Sequence, residues 1–496
     1  MGQIKRQASK STLSSFVGIL FSVTSALFII PIVPPSLYGQ VNIMLAVASL
    51  ALPFSVFGLN SSIKRYAHKH KRDKGKAFVI TLLTGQVIIN AIVCLLLYYL
   101  GADLFTKLYP DFQTISNEII WVCVLVTLMS QFTMLEAFAT SIFRLNVVRL
   151  IEIVTQKAGI PVVLLLASLA IIKVQYVIPG LVLLYALRML SLWYFFITET
   201  VQYPTKTLSI QELNLSPIVK YSIFAFFAVI MNEAVMKIDI LMVGSLEGSP
   251  AAGIYAYAFY IGMLVDLPRM NLASLLFPLI SEFQTEGNTK KVNEVYKRSS
   301  DLLFVVGGFL FINVLANIDA LFILIPNGET FRPAKFVIIF IAAAKVLNMA
   351  MGVNFEIIST SKRYIWIIAI NSVALVSVIY FNSVLIPKYG LNGAAFATLL
   401  VWVIYNLAAF LYLRITRALS PFSLRSLTIL GLTTLFGGTL YLLNLPSLIN
   451  VWVALIINSF ISLGYITIVV RLKLSSDFNQ FLSKTLNRLG LKLPIE

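Results

Sequence analysis

Charged side chains are scarce in this chain, and their scarcity excludes an ordinary soluble domain. Only 12% of the 496 residues are Asp, Glu, Lys or Arg, whereas 59% are hydrophobic. A soluble protein devotes about a quarter of its residues to charge, because its surface must face water. A chain with half that share must place most of its surface against an apolar medium. The composition therefore predicts a membrane protein.

Residues that supply redox, metal and nucleotide chemistry are also few. The two cysteines, Cys94 and Cys123, each fall inside an apolar run, where a thiol behaves as a small hydrophobic group. The two histidines, His68 and His70, lie in a basic loop without acidic companions. No phosphate-binding GxxxxGK[ST] sequence occurs. We therefore expect no disulfide framework, no metal site, no organic cofactor and no nucleotide hydrolysis by this route.

Long apolar runs are what the chain has instead. A helix needs about 20 apolar residues to cross the hydrocarbon core of a bilayer, and a helix satisfies its own backbone hydrogen bonds there. This length predicts an all-α, polytopic membrane protein with about fourteen transmembrane helices. The predicted spans are 13–33, 38–61, 77–100, 118–141, 153–173, 176–198, 218–245, 251–276, 299–325, 334–358, 364–386, 390–413, 426–443 and 447–470. The first run is long for a signal peptide and lacks an A-x-A cleavage site, so we expect it to be retained.

Basic residues are distributed unequally between the two sides of these spans. Loops on the side of the two termini hold 27 Lys and Arg, and loops on the opposite side hold four. Under the positive-inside rule, both termini lie in the cytoplasm. The net charge of +17 therefore reflects membrane topology and does not indicate a nucleic-acid partner.

The C-terminal tail, residues 475–496, shows apolar and basic residues at helical spacing. Such a pattern is typical of an amphipathic helix on an anionic membrane surface. A disordered basic tail explains the same composition equally well. The apolar and basic positions are Phe478, Phe481, Leu482, Leu486 and Leu489, with Lys484, Arg488 and Lys492.

Two segments of the chain share one layout, which indicates an internal repeat. The sequence PPSLYG ends at Gly39 and leads directly into span two, and GSPAAG ends at Gly253 and leads into span eight. The offset of 214 residues also brings Pro53 to within one residue of Pro268. Proline inside a span kinks the helix, and interrupted helices at matching positions of two halves indicate a transporter's central site. Proline is, however, also common in membrane helices without such a role.

Few charges fall inside the spans, and those that do are the candidate site residues. A charge at the bilayer centre costs about 2.5–3.5 kcal/mol, so a retained one faces a cavity or a partner. The candidates for contact with an anionic substrate are the cations Arg188, Lys237, Arg269 and Lys345. The candidates for binding a coupling cation, H⁺ or Na⁺, are the acids Glu136, Glu233, Asp239, Asp266 and Glu356.

Sequence spacing pairs some of these charges with each other. Glu233 and Lys237 are i,i+4 neighbours, and Asp266 and Arg269 are i,i+3 neighbours, so each pair can neutralise itself on one helix face. A salt bridge that only makes burial tolerable is an equally good interpretation of such pairs. Arg188 has no acidic neighbour at helical spacing. Lys345 and Glu356 fall close to one face of predicted span ten.

Residues 237–258 carry the clearest resemblance to a known family. The sequence KIDILMVG (237–244) followed by AGIYAYA (252–258) is similar to the D-x-x-M-[LV]…G-x-Y-x-x-A stretch of Wzx-type polysaccharide flippases. These belong to the multidrug/oligosaccharidyl-lipid/polysaccharide exporter superfamily. Further similarities are IKRQ at 4–7, DLPR at 266–269, NID at 317–319, PNGE at 326–329 and GVNFEII at 352–358. With these the chain looks like the Bacteroidetes branch of the family, over essentially its whole length.

The resemblance implies two six-helix lobes around a central cavity and two further C-terminal helices. The chain then divides into 1–200, 201–418, spans thirteen and fourteen at 419–474, and the cytoplasmic amphipathic tail 475–496. It further implies alternating access, which moves an undecaprenyl-pyrophosphate-linked oligosaccharide from the cytoplasmic to the periplasmic leaflet of the bacterial inner membrane. O-antigen or capsule assembly is the implied pathway.

The same resemblance implies partners and a mode of binding. The sugar–pyrophosphate head lies in the cationic cavity, and the lipid tail lies in a groove near spans thirteen and fourteen. The expected partners are the lipid-linked substrate, anionic membrane lipids, and the polymerase and glycosyltransferases of the pathway. In one respect the chain departs from the lipid II flippases of the superfamily, because its first span carries no basic residue.

Two other functions fit parts of the sequence. A cation-coupled multidrug exporter predicts an acidic cavity for cationic drugs. A membrane-embedded polymerase or glycosyltransferase needs carboxylates in a sizeable periplasmic loop. The one sizeable predicted loop, residues 101–117, offers only Asp103 and Asp111. A purely structural scaffold is a weaker interpretation, because a scaffold needs no buried charges.

Overall fold

The computed structural model describes residues 17–67, 72–112, 118–142, 144–201, 215–361, 363 and 365–488. In these ranges the regular structure is helical and no strand occurs. The contacts divide the chain into two compact units, Met1–Ala256 and Tyr257–Glu496. The basic N-terminal head, His68, His70, Lys206, Lys362 and the end of the tail lie outside the described residues.

The first unit consists of helices α1 to α9 and most of α10. Their bounds are α1 Val17–Ile32, α2 Pro35–Val56, α3 Leu59–Tyr66, α4 Arg72–Leu96, α5 Ala102–Leu108, α6 Glu118–Ser141, α7 Leu145–Glu152, α8 Ile160–Ser168, α9 Val177–Thr200 and α10 Leu215–Met263. Two π-helical turns, Leu97–Gly101 and Ile153–Gly159, join α4 to α5 and α7 to α8. Short 3₁₀ turns lie at Pro110–Phe112 and Val174–Tyr176.

Helices α2, α4, α6 and α9 enclose the core of the first unit. Phe78, Met134 and Leu192 are fully buried there. The opposite face of α4 is also apolar, and Ile88 and Leu95 are largely exposed on it. A helix that is apolar on its outward face as well as on its inward face is typical of a membrane span.

The second unit consists of the end of α10 and helices α11 to α20. Their bounds are α11 Leu267–Thr285, α12 Thr289–Leu324, α13 Gly328–Phe331, α14 Lys335–Ala350, α15 Asn354–Ser359, α16 Trp366–Arg417, α17 Leu424–Leu443, α18 Leu445–Leu448, α19 Val451–Arg471 and α20 Ser476–Arg488. Short 3₁₀ turns lie at Leu264–Asp266 and Arg332–Ala334. Helix α12 contacts α11, α14, α17 and α19, and Ile312 and Tyr465 are fully buried in the core that they share.

By length and composition, ten helices of the described part are able to cross a membrane. One of them, α16, is broken at Gly390 and covers predicted spans eleven and twelve. Predicted span one falls on the shorter apolar helix α1. Predicted span seven falls on the part of α10 before Gly248, and predicted span eight falls on the part after it and on the start of α11. The prediction of an all-α, polytopic membrane protein is confirmed.

Glycine allows the two sharp turns inside α10 and α16. Gly248 has φ 87° and ψ 171°, and Gly390 has φ 54° and ψ −134°. L-residues with a side chain rarely adopt such positive φ values, whereas glycine does so without a steric penalty. Each turn lies at the junction of two predicted spans, and Gly248 is the first residue of the GSPAAG sequence of the predicted repeat.

The prediction that span ten is one helix from 334 to 358 is wrong. Helix α14 ends at Ala350, Gly352 has φ 62°, and a separate short helix, α15, begins at Asn354. Lys345 and Glu356 therefore do not share the face of a single helix. Their eleven-residue spacing carries no meaning once the helix between them is interrupted.

The two predicted kink prolines differ in their surroundings. Pro268 lies in the first turn of α11, directly after the 3₁₀ turn Leu264–Asp266, so predicted span eight is interrupted at this proline. Pro53 lies inside α2, which continues to Val56 before the chain turns at Phe57. The first turn of a helix is where proline fits best, because the N–H that it lacks has no helical partner there.

Gly39 and Gly253, which the repeat aligns, pack against each other within the first unit. A Cβ atom on Gly39 would lie 1.8 Å from the carbonyl oxygen of Ser249, and one on Gly253 would lie 1.9 Å from that of Pro35. Each carbonyl belongs to the residue four positions before the partner glycine. The contact is therefore reciprocal, as a two-fold axis between two repeated segments requires.

The segment between α5 and α6 holds the turn at Gly248. The Asp111 carboxylate accepts a hydrogen bond from the Ser249 N–H at 2.9 Å, and the Tyr109 hydroxyl donates one to the Leu241 carbonyl at 3.1 Å. Asp111 thus supplies the acceptor that the start of the second part of α10 lacks. Burial raises the pKa of Tyr109 above its ordinary value, which keeps the hydroxyl protonated as a donor.

The tail forms helix α20, which is tied to α12. The Arg298 guanidinium pairs with both carboxylate oxygens of Asp477, with Nε to Oδ2 at 3.0 Å. Phe478 packs against the core of the second unit, and Phe481 is exposed. The helical form of the tail agrees with the prediction, whereas its binding to a membrane surface and the predicted lobe boundaries stay predictions.

Candidate functional site

Arg188 on α9 occupies a buried site in the first unit. Its guanidinium Nη2 lies 3.0 Å from Oε1 of Glu152, and its central carbon lies 3.6 Å from the centroid of the Phe132 ring. Gln156 donates a hydrogen bond to the Tyr185 hydroxyl at 3.2 Å beside it. The acidic partner that Arg188 lacks at helical spacing is thus supplied by α7, 36 residues earlier in the chain.

The Arg188 site combines a buried cation with a more accessible anion. The Arg188 side chain is 9% exposed, whereas the Glu152 side chain is 35% exposed. The Nε of Arg188 has no hydrogen-bond partner among the described residues. A guanidinium over an aromatic face and beside one carboxylate is stabilised by both. If Glu152 leaves or takes a proton, Arg188 becomes a buried cation that requires another anion.

The other charges predicted for the first unit have different surroundings. Glu136, expected to be a lone acid, lies 3.7 Å from Lys64 on α3, and both side chains are partly exposed. Glu233 and Lys237 lie one turn apart on α10 and are both half-buried. Asp239 is fully buried and accepts a hydrogen bond from the Tyr255 hydroxyl at 3.1 Å. Of these charges, Glu136 lies near enough to Arg188 and Glu152 to interact with both electrostatically.

The second unit contains a buried cluster of three charges, which we name the Arg269 cluster: Asp266, Arg269 and Glu356. The Arg269 Nε lies 2.9 Å from Asp266 Oδ1, which is the predicted i,i+3 pair, and its Nη1 lies 3.5 Å from Glu356 Oε1. All three side chains are at most 16% exposed. The interruption at Gly352 allows Glu356 on α15 to reach Arg269.

Two carboxylates share one guanidinium in the Arg269 cluster. When both acids are ionised, the three groups carry a net charge of −1. The second oxygen of Glu356, Oε2, is buried without a hydrogen-bond partner in the part of the chain that the structure describes. A buried anion of this kind requires a further proton or cation. The cluster is therefore chemically suited to take up one positive charge.

Lys345 lies in the interior of the second unit and is not a member of the Arg269 cluster as defined above. It is 1% exposed, and its ammonium lies 3.8 Å from the centroid of the Trp402 ring on α16. A cation over the face of tryptophan is attracted by the ring quadrupole. Asn348, one turn along α14, is buried as well. The sequence marked Lys345 but gave no means of identifying Trp402 as its neighbour.

Sequence reasoning missed a second strong ion pair in this unit. The Lys335 ammonium lies 2.9 and 2.7 Å from the two oxygens of Asp319, and 5.1 Å from the Tyr441 ring centroid. Asp319 and Lys335 are 16 residues apart, on either side of the turn that joins α12 to α13. The sequence PNGE (326–329) between them indicates a turn. Such a turn brings the end of α12 close to the start of α14, so this pair could have been predicted.

An apolar cavity of about 300 Å³ lies beside α12 in the second unit. Leu264, Leu310, Val314 and Ile338 line it, together with Asn313 and Asn317. The two asparagines donate to carbonyls of their own helix, and Asn317 also accepts a hydrogen bond from Asn458 on α19 at 2.9 Å. Their polar groups are occupied, so the cavity offers mainly an apolar surface. Its volume is at the lower end of the range for small-molecule sites, about 300–1,000 Å³.

Comparison with known proteins places this chain in a family. The model of a family described as "Polysaccharide biosynthesis protein" matches residues 31–334, which is more than half of the chain. The chain belongs to this family. Among curated proteins, no sequence matches it.

Solved structures show which fold the family member adopts. The inward closed conformation of the lipid II flippase MurJ is similar with a TM-score of 0.70 and 15% sequence identity, over 94% of this chain and 98% of that one. An inward-facing multidrug resistance MATE family transporter of the MOP superfamily is similar with a TM-score of 0.60 and 12% identity, over 84% and 96%. A MOP superfamily transporter from Pyrococcus furiosus reaches 0.51 and 12%, over 82% and 92%. At these identities the likeness shows the fold, which is that of the superfamily expected from sequence.

Proposed function

We propose that this protein is a flippase of lipid-linked oligosaccharides in the bacterial inner membrane. It would move an undecaprenyl-pyrophosphate-linked oligosaccharide from the cytoplasmic to the periplasmic leaflet, for assembly of O-antigen or capsule, with both termini in the cytoplasm. One observation carries the proposal. A chain of the polysaccharide biosynthesis family has, over nearly its whole length, the fold of a lipid II flippase. The proposed substrate combines the polysaccharide that the first description names with the lipid-linked cargo that the second one names.

The buried cations supply the chemistry that such a substrate requires. A pyrophosphate is recognised by guanidinium and ammonium groups that replace its hydration. Arg188 and Arg269 are held by carboxylates at 3.0 and 2.9 Å, so a pyrophosphate must compete with these carboxylates. Protonation of the carboxylate removes the competitor and releases the cation. We therefore propose that Arg188, Lys237, Arg269 and Lys345 act on the head group.

A coupling cation would enter through the acids. In the Arg269 cluster, two carboxylates share one guanidinium, and Glu356 Oε2 has no hydrogen-bond partner within the described ranges. We assign uptake of H⁺ or Na⁺ to Asp266 and Glu356 first, with Glu136, Glu233 and Asp239 as further candidates. Uptake of one positive charge weakens the hold on Arg269, which links the ion to the substrate in a single step.

The apolar cavity beside α12 fits part of the lipid tail. Its lining is aliphatic except for two asparagines whose polar groups are already bonded. We therefore propose that a segment of the polyprenyl chain occupies it, close to α19. Anionic lipids, the polymerase and the glycosyltransferases of the pathway are proposed partners.

Two alternatives make different predictions. A cation-coupled multidrug exporter is favoured by the excess of acid in the Arg269 cluster and by the MATE-like fold. A polysaccharide polymerase is disfavoured, because Asp111 is already bonded to the Ser249 N–H and Asp103 is exposed on its own. General acid–base catalysis in a polymerase requires a second available group beside such a carboxylate.

A deletion strain distinguishes the flippase from the exporter. If the proposal is right, cells without the protein lose surface polysaccharide and accumulate its lipid-linked precursor on the cytoplasmic side, while drug resistance is unchanged. Complementation with R188A, R269A or K345A restores membrane protein but not surface polysaccharide. Normal polysaccharide together with new drug sensitivity would support the exporter instead. Normal polysaccharide in all three variants would remove the site assignment.

A further inference from the structure

Helices α4 and α6 meet along three polar rungs, which we name the α4–α6 ladder. Gln131 donates a hydrogen bond to Gln86 at 2.6 Å, and Asn90 donates one to Thr127 at 2.9 Å. The third rung joins Cys94 and Cys123. The positions are 86, 90 and 94 on α4 and 131, 127 and 123 on α6. Both series advance by four residues, in opposite directions.

The spacing fixes the register of the two helices. Residues four apart lie on one face of a helix, and an antiparallel pair with matched four-residue steps brings each position opposite its counterpart. The first two rungs are close hydrogen bonds, so the third pair must also face each other. Sequence analysis treated Cys94 and Cys123 as two separate apolar residues, because nothing in it aligned α4 with α6.

The contacts of the cysteine rung are reciprocal. The Cys94 Sγ lies 3.6 Å from the Cys123 carbonyl oxygen, and the Cys123 Sγ lies 3.5 Å from the Cys94 carbonyl oxygen. Both cysteines are free thiols and half-buried. The Cys94 thiol also lies 3.7 Å from the Thr127 hydroxyl, in the next rung.

The rung lies near the end of α4 and the start of α6, on the side of segment 97–117. At 1.5 Å per residue, Cys94 lies about 9 Å from the end of the predicted third span, and Cys123 lies about 8 Å from the start of α6. Both distances lead to the loop that is predicted to be periplasmic. The bacterial periplasm is an oxidising compartment in which disulfides form and persist.

We propose that Cys94 and Cys123 are a dithiol that is oxidised to a disulfide between α4 and α6. The oxidant is a disulfide, carried by a protein or a small molecule. One thiol loses its proton and attacks a sulfur of the oxidant, which forms a mixed disulfide and releases a first thiol. The second cysteine then attacks the mixed disulfide and displaces the other thiol. Two protein thiols become one disulfide, and the oxidant takes up the two electrons and two protons.

The disulfide would restrain a segment that contacts α10. Cys94 and Cys123 flank residues 97–117, which include Tyr109 and Asp111. These two residues bind the Leu241 carbonyl and the Ser249 N–H. A covalent bond at the base of the segment limits how far its two ends separate, so oxidation would hold the contacts with α10 in place.

The test uses the full-length purified protein and 4,4′-dipyridyl disulfide, an apolar disulfide that enters the membrane region. We expect the wild type to release two molecules of pyridinethione per chain, to lose both maleimide-reactive thiols and to end lighter by two hydrogen atoms. A reductant restores both thiols. The variants C94S and C123S each have one cysteine, so each must end with one attached pyridyl group and release one molecule of pyridinethione.

Two results overturn the proposal. Wild-type protein that carries two pyridyl groups has thiols that react but do not meet. In the second result, the wild type keeps both maleimide-reactive thiols although C94S or C123S is modified by the reagent. The two thiols of the wild type then do not form a disulfide by thiol–disulfide exchange. The first result is read from the wild type alone, and the second needs only one of the two serine variants in folded form.

Discussion

Arg188 and Glu152 show how this protein keeps a charge inside a membrane span. Arg188 is bonded to a carboxylate at 3.0 Å and lies over the Phe132 ring at 3.6 Å. Together the two partners compensate the cation, which is almost completely buried. Removing one partner of a buried ion pair is more destabilising than replacing both, because the remaining charge is left without compensation.

Replacing Glu152 tests this account of the pair. A fully buried pair loses about 3–5 kcal/mol when one partner is removed, and because Glu152 is 35% exposed we expect about 1–3 kcal/mol for E152Q. The midpoint of thermal unfolding of the purified protein should fall accordingly. The matched control is E199Q, which breaks the pair with Arg144, a cation that is 53% exposed, and should change stability by less than about 1 kcal/mol.

The double variant E152L/R188L separates stability from transport. Replacing a whole buried pair by apolar groups is often neutral for stability, so the double variant should unfold near the wild-type temperature. If Arg188 contacts the substrate, the same variant should no longer support surface polysaccharide. A double variant that is both stable and active would show that the pair is only structural.

Gly39 and Gly253 form a contact that tolerates no side chain. A Cβ atom on Gly39 would lie 1.8 Å from the Ser249 carbonyl, which is backbone and cannot rotate away. We expect G39A to destabilise the protein by at least about 1–3 kcal/mol, the range for overpacking a core. G85A is the control, because nothing lies within 4 Å of a Cβ atom there. Equal unfolding temperatures for the two variants would contradict the close contact.

At the scale of elements, the second part of α10 depends on a cap from outside its own helix. Asp111 accepts the Ser249 N–H at 2.9 Å, and Gly248 provides the turn before it with φ 87°. A cap of this kind contributes about 1 kcal/mol. This hydrogen bond connects the segment between α5 and α6 to the residues of α10 that follow Gly248.

Replacing Asp111 tests the cap. D111A should lower stability by about 1 kcal/mol and increase amide hydrogen exchange at the start of the second part of α10, around Ser249. D111N keeps an oxygen acceptor and should change both quantities less. D103A, at an exposed carboxylate of the same segment, should leave the exchange unchanged. If D103A raised exchange at Ser249 as much as D111A, the cap would not be the cause.

Helix α20 is held by the Arg298–Asp477 charge pair, by Phe478 and by the Asn479 amide, which donates a hydrogen bond to the Val470 carbonyl at 3.1 Å. D477A removes the partner of Arg298, and we expect faster amide exchange across residues 476–488 with a loss of less than about 1 kcal/mol. E294A is the control, because Glu294 meets the same arginine at 3.5 Å in a more exposed position. Unchanged exchange in D477A would mean that Phe478 and Asn479 hold the helix without the charge pair.

The positions of the elements followed from local signals, whereas several of their ends did not. The turn at Gly248 was marked by the GSPAAG sequence between two apolar runs, and it is present. The break at Gly352 was missed, because a single glycine inside an apolar run is as common within a span as at its end. The mistaken pairing of Lys345 with Glu356 on one helix face follows from that miss.

At the scale of the whole molecule, membrane-length apolar runs and a recurring PPSLYG-like turn were enough to predict the class of fold. The similarity of 94% of the chain to a lipid II flippase structure agrees with that prediction. Partners between distant helices were beyond sequence reasoning. Glu152 and Arg188 are 36 residues apart, and Lys345 and Trp402 are 57 apart. No periodicity within one helix reports which helices become neighbours.

The candidate site is less determined by sequence than the fold for the same reason. The free-energy cost of a charge inside a membrane predicted which charged residues need a compensating partner. Arg188, Arg269 and Lys345 are indeed at most 16% exposed. It did not identify what compensates each of them. That information comes only from the packing of whole helices, which places carboxylates or aromatic rings beside these three cations.

The most direct measurement follows a labelled undecaprenyl-pyrophosphate oligosaccharide between the leaflets of vesicles that contain the purified protein. A membrane-impermeant glycosidase outside the vesicles reports how much sugar is accessible. The account predicts that the inner-leaflet pool becomes accessible much faster with wild-type protein than in vesicles without protein, and that E152L/R188L is slow although folded. Equal rates with and without folded wild-type protein would contradict the central claim that this chain moves lipid-linked sugars across the membrane.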